Sequence, residues 1–174
     1  MAILKVARIG HPVLRCPAEP LPSEEIAAPA TQRLIDDMLE TMAEYHGVGL
    51  AAPQIHEGLR IFVAALDAKE DEGDDQPLAI INPEITLVGT DIVEDWEGCL
   101  SIPGVRGRVP RAREIKVRAY DRKGDRIELS AHDFPARVIQ HETDHLDGIL
   151  FFDRMKSLET LTFLEEYSRY WAKD

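Results

Sequence analysis

The rhythm of apolar and polar positions changes along the chain, and each change marks a change of structure. Residues 11–30 show no period; Pro12, Pro17, Pro20, Pro22 and Pro29 fix φ and remove donors, so this stretch should wrap the surface. From Thr31 the period becomes helical. Leu34, Ile35, Met38, Leu39 and Met42 share one face, Asp36, Asp37 and Glu40 lie opposite, and Gly47 is the stop. Between Arg60 and Ser130 the period falls to two, with short runs at Ile61 to Leu66, Leu78 to Ile81, Ile85 to Val88 and Ile92 to Trp96. The clearest hairpin joins Glu114–Tyr120 to Arg126–Ser130 through Asp121–Asp125, burying Ile115, Val117, Ile127 and Leu129. A helix follows Asp133, its expected N-cap, with Pro135 in the first turn and Gly148 past the end. A last helix, Leu158 to Ala172, carries Leu161, Leu164, Tyr167, Tyr170 and Trp171. Helices flanking a strand-rich middle predict an α+β fold.

Composition narrows the setting. With 174 residues, 44% of them hydrophobic, the chain can fill one core, so residues 1–174 are expected to form a single domain. The formal net charge of -12 argues against an extended phosphate-binding surface, hence against nucleic acid as a direct substrate. Six carboxylates against Lys69 between Asp67 and Asp75 read as a solvated loop. No export signal opens the chain and no apolar run approaches the roughly 20 residues a bilayer needs, so a cytoplasmic protein without membrane contact is expected. Two cysteines, Cys16 and Cys99, are then poor evidence for a disulfide.

The chemistry concentrates in His141-Glu142-Thr143-Asp144-His145. Residues four apart share a helix face, so both imidazoles can reach one cation while Glu142 can take a proton from a water beside it. A catalytic site with one open coordination position needs a third protein ligand. A histidine six residues past His145 is excluded, because that position is Phe151. Glu165 or Glu166 would make the site a metallopeptidase; Cys99, presented from the bend Glu97-Gly98-Cys99-Leu100-Ser101, would make it a thiolate site. A noncatalytic, metal-stabilised binding module is the third class. Taken one at a time, Gly47 and Gly49 are a helix stop, Gln54 a turn residue and Cys99 a small core hydrophobe.

Three segments in this order change those readings. Gly47-Val-Gly-Leu-Ala-Ala-Pro-Gln54, Glu97-Gly-Cys-Leu-Ser101 and Gln140-His-Glu-Thr-Asp-His-Leu-Asp-Gly148 resemble the three motifs of peptide deformylases, and the resemblance runs from Ile9 to Phe151. HExxH alone is common; the three together are specific. The resemblance implies that Cys99, His141 and His145 hold one divalent metal, typically Fe2+ with Zn2+, Ni2+ or Co2+ as substitutes, and that a water in the fourth position attacks the substrate. It implies Glu142 as general base, with the Gln54 amide and the Leu100 N–H as donors to the developing oxyanion. Backbone at Val48, Gly49 and Gly98 would pair with an extended peptide. The implied substrate is the N-formylmethionine end of nascent polypeptides, and the implied fold sets antiparallel sheets around a central HExxH helix with a helix at the C-terminal end. Nascent-chain chemistry also implies transient ribosome contact, against which the nearly balanced charge of the last helix argues. The family pattern further suggests a buried Glu97–Arg111 pair steadying the Cys99 loop. Asp144 should face solvent or a supporting group, Trp96 should pack, and Cys16, His11, His46, His56 and His132 read as incidental.

Overall fold

A computed structural model describes residues 2–66 and 77–172; the acidic segment 67–75 lies outside them. The elements in chain order are a 3-10 turn at Pro12–Arg15, α1 (Ser23–Ile26), α2 (Pro29–Glu44), β1 (Gly49–Ala51), a 3-10 turn at Ala52–Ile55, β2 (Ile61–Ala64), β3 (Leu78–Cys99), β4 (Ile102–Tyr120), β5 (Arg126–His132), α3 (Asp133–Leu146), α4 (Phe151–Arg154), β6 (Thr162–Phe163) and α5 (Leu164–Tyr170). The fold is α+β, with antiparallel strands in the order β1-β2-β3-β4-β5 and β6 added to β4.

Strand periodicity explains the layers. In β2, Phe62 and Ala64 join Ile80, Ile115 and Val117 beneath Val138, Ile139 and Leu146 of α3. Their neighbours Ile61 and Val63 point the other way and join Ile81 beneath Ile35, Met38 and Met42 of α2. Both faces of β2 are therefore buried, which is why it reads as an unbroken apolar run. Each fully buried side chain of this size contributes about 1.5–3 kcal/mol. A third cluster, with Leu14, Ile102, Val109, Leu150 and Phe151, closes the end of the sheet nearest the Cys99 bend.

The structure differs from the sequence expectation at several places. Helix α2 begins at Pro29, not Thr31, since a proline at N1 loses no hydrogen bond there. The runs expected at Leu78 to Ile81, Ile85 to Val88 and Ile92 to Trp96 form one strand, because Asn82 (φ 51°) and Gly89 (φ 69°) lie at bulges that shift register without ending the pairing. Its partner β4 likewise starts at Ile102, well before Glu114, while the β4–β5 hairpin pairs Ile115 with Ala131 and Val117 with Leu129. In α3 the N-cap position falls to His132, whose side chain makes no capping hydrogen bond, and Asp133 at φ 51° is the first residue of the helix, not its cap. The helix expected over Leu158 to Ala172 is reduced to α5, preceded by β6, whose β-branched and aromatic pair adds to Val105 and Arg106. After α3, Gly148 at φ 72° lies so close to the backbone of Arg15 that a Cβ would meet its carbonyl carbon at 2.8 Å. No helix among the described residues is long and apolar enough to cross a membrane.

Candidate metal centre and substrate cleft

The bend between β3 and β4 and the last turns of α3 meet at one point. Register pairs Cys99 with Ile102, so the thiol sits at the mouth of the hairpin, and α3 packs its apolar face on the sheet with His141 and His145 directed toward it. The ligand atoms of Cys99, His141 and His145 lie within 4.8 Å of one another, and Cys99 Sγ is 3.2 Å from His145 Nε2. A tetrahedral cation with ordinary metal–sulfur and metal–nitrogen lengths separates such donors by roughly 3.5 Å, so the set fits a divalent ion. Glu165 is exposed on α5, and Glu166 pairs with Arg169 at 3.5 Å; neither joins the cluster.

Electrostatics organise the donors. Glu97, 5% exposed, accepts from Arg111 Nε at 2.9 Å and Nη2 at 3.0 Å, from Arg137 Nη1 at 2.8 Å, and pairs with His141 Nδ1 at 2.9 Å. Burial pushes its carboxyl up, but the hydrogen bonds from His141 and Arg111 and their charges prevail and hold it at about 2. An ionised carboxylate only accepts, so Nδ1 of His141 carries the proton and Nε2 is left free to ligate. Burial also raises the Cys99 thiol, yet the imidazoles of His145 and His141 bring it well below its ordinary value. Asp144 is buried and accepts from Arg111 Nη1 at 2.5 Å and Arg154 Nη2 at 2.8 Å, so it belongs to the same network and does not face solvent. The ring of Phe151 stacks along His141 with centroids 6.4 Å apart and seals the back of the site.

A cleft of about 860 Å³ opens in front. Val48, Gly49, Gln54, Gly98, Cys99, Leu100, His141 and Glu142 line it; His145 lies behind them at 1% exposure. Gln54 is fixed at both ends of its amide: Oε1 accepts from Ala51 N at 2.8 Å, and Nε2 donates to Ser101 Oγ at 3.1 Å and toward Cys99 Sγ at 3.5 Å. Glu142 is buried, its Oε2 has no partner among the described residues, and burial raises its pKa. Gly49 is packed on that carboxylate so tightly that a Cβ there would strike it. Trp96 both packs, against Tyr167 with centroids 5.0 Å apart, and faces the cleft.

Residues 3–161 match the family model of polypeptide deformylase. The chain belongs to the polypeptide deformylase family. A peptide deformylase of Nostoc sp. is 43% identical over 99% of this chain and 97% of that protein, and one from Halothermothrix orenii is 46% identical over 89% and 95%. A class I type b peptide deformylase of Acinetobacter baumannii, solved with Met-Ala-Ser bound, superposes with a TM-score of 0.82 at 36% identity, covering 88% of this chain and 99% of that one. Like them, this deformylase is an enzyme, and its family is metal-dependent. Arg137 and Ser101 escaped the sequence reading. Arg137 stands one turn before His141 on the same helix, a spacing that could have drawn attention to it; its guanidinium also reaches the carbonyls of Val109 at 2.8 Å and Val93 at 2.7 Å. Ser101 lay inside a motif, but nothing local announced that it would hold the Gln54 amide.

Proposed function

We propose that this enzyme removes the N-formyl group from the formylmethionine of nascent polypeptides in the cytoplasm, releasing formate and a free amine. In this reading residues 1–174 act as one domain with the HExxH helix at its centre, nucleic acid is not a substrate, and contact with the ribosome is transient. The observation that carries the proposal is the unpartnered, buried Glu142 carboxylate standing beside a Cys99–His141–His145 donor set inside a cleft large enough for a peptide.

Cys99, His141 and His145 would hold the cation, with Fe2+ as the native metal; the thiolate and imidazole donors also accept Zn2+, Ni2+ or Co2+. When bound, the cation polarises the formyl oxygen and makes a water acidic enough to lose a proton near neutral pH. Glu142 takes that proton as the water oxygen bonds to the formyl carbon. It then delivers the proton to the amide nitrogen as the C–N bond breaks, which balances the hydrolysis. Its raised pKa suits both duties. Gln54 Nε2 and Leu100 N–H donate to the oxygen that gains charge, each worth about 3 kcal/mol in the transition state. Holding the Gln54 amide through Ala51 and Ser101 spares the reorganisation such a donor would otherwise need. An extended peptide pairs with backbone at Val48, Gly49 and Gly98. In support, β1 is the terminal strand in the order of the described sheet and pairs with β2 alone, and Val48 and Gly49 line the cleft.

Glu142→Ala should abolish formate release from a formyl-Met peptide while metal content persists; turnover at the unaltered rate would sink the assignment of the base. Cys99→Ala should lose the metal, whereas retention would overturn Cys99 as a ligand. Elemental analysis of oxygen-free preparations, paired with activity, tests the choice of iron.

A further inference from the structure

The family match ends at residue 161, yet the chain beyond it returns to the cleft. Thr162 and Phe163 pair with Arg106 and Val105 of β4. Arg106 in turn lies flat on Gly98, where a Cβ would meet its guanidinium carbon at 2.8 Å. Helix α5 is fastened from the other side by Trp96, whose ring packs on Tyr167 and, with centroids 5.8 Å apart, on Trp171. Between these two attachments Leu164 lines the cleft together with Trp96, Gly98, Arg106 and Phe134. Leu164 is 42% exposed and α5 buries none of its residues, so this leucine has no place in the core. Its neighbour Phe163 is 70% exposed and does not line the cleft.

We infer that Leu164, held at the start of α5, forms part of the wall of the substrate cleft and favours a long, apolar first side chain over a short one. The inference rests on the deformylase reading above. If the peptide backbone runs past Gly98, the side chain next to the formyl group projects toward the surface built by Trp96, Arg106 and Leu164. A methionine is long enough to cover Leu164, and an alanine is not. Apolar contact removed from water favours the longer side chain, and such pockets discriminate by about tenfold or more per missing group. Leu164 is thus a specificity residue held in place by the Trp96 and β4 contacts.

The test compares hydrolysis of formyl-Met-Ala-Ser and formyl-Ala-Ala-Ser by the metal-loaded enzyme. Leu164→Ala should raise KM for the methionine substrate about three- to tenfold with kcat within about twofold, and leave kcat/KM for the alanine substrate within about twofold. Tyr167→Ala, which loosens α5 from Trp96, should shift the same ratio in the same direction; Phe163→Ala should leave it unchanged. An equal loss on both substrates, or an unaltered ratio in Leu164→Ala, overturns the inference. Failure of the unaltered enzyme on both formylated peptides would instead overturn the deformylase reading.

Discussion

Gly49→Ala offers a probe of the base that leaves every ionisable group in place. A Cβ at Gly49 would stand 2.7 Å from Glu142 Cδ and 2.8 Å from Cγ. Ordinary contact begins near 3.4 Å, so Cδ must retreat by about 0.7 Å and Oε1, the atom nearest the added methyl, by more. Glu142 is 4% exposed and lines the cleft, so a retreating carboxylate leaves its place beside Cys99, His141 and His145. A misplacement of about 1 Å can cost 10²-fold in rate, so kcat should fall about 10- to 100-fold, equivalent to roughly 1.4–2.7 kcal/mol. The three atoms nearest the added methyl all belong to Glu142, so the metal should stay bound. Formate release under saturating formyl-Met-Ala-Ser, with metal content measured on the same sample, reports both quantities. A kcat within about threefold of the unaltered enzyme would refute the claim that Glu142 must stand where Gly49 lets it.

Arg137→Ala should destabilise the fold by about 3 kcal/mol, since it removes a charged donor from buried Glu97 and a side-chain donor from the carbonyls of Val93 and Val109; the urea midpoint measures this. Asp153 ties α4 to the first 3-10 turn: it pairs with Arg15 and accepts from Leu150 N at 2.8 Å. Slight burial raises its carboxyl, but these donors hold it below its ordinary value. Its stabilising contribution is therefore complete above the unfolded pKa of 3.8 and disappears as pH falls through the lower, folded value. Asp153→Asn should accordingly cost about 1 kcal/mol or less at pH 7, given the exposure of the pair, and progressively less as pH falls below 3.8; thermal melts across that range check the sign.

The legible parts of this fold are those whose signal is local. Helix α2, the β4–β5 hairpin and α3 announce themselves because Ile35 and Met38, Ile115 and Val117, or Val138 and Ile139 repeat at the period of their own element. Asn82-Pro83 and Gly89 look like strand ends, since a sequence cannot say whether a neighbouring strand will pair on across a bulge. The pairing of Thr162–Phe163 with Val105–Arg106 is invisible for the same reason: two residues carry no period, and their partner lies far along the chain. At the site, motif spacing pointed to His141, His145 and Glu142, and the family resemblance added Cys99 and Gln54, while Arg137 and Leu164 matter only through groups that the tertiary fold brings to them.

The placement of Cys99 on a sheet hairpin and of His145 on a later helix also sets an order of assembly. The two are 46 residues apart in sequence, whereas His141 and His145 come together as soon as α3 forms. A free α3 offers a cation only a pair of neutral imidazoles. The thiolate arrives when β3 and β4 have found their register and the helix has docked, with Arg137 and His141 meeting Glu97. With the proposed ligand set, ion capture would wait on non-local steps of folding, and a chain with a slipped hairpin would be left metal-poor. Metal occupancy in a preparation would then count correctly folded molecules as well as loaded ones.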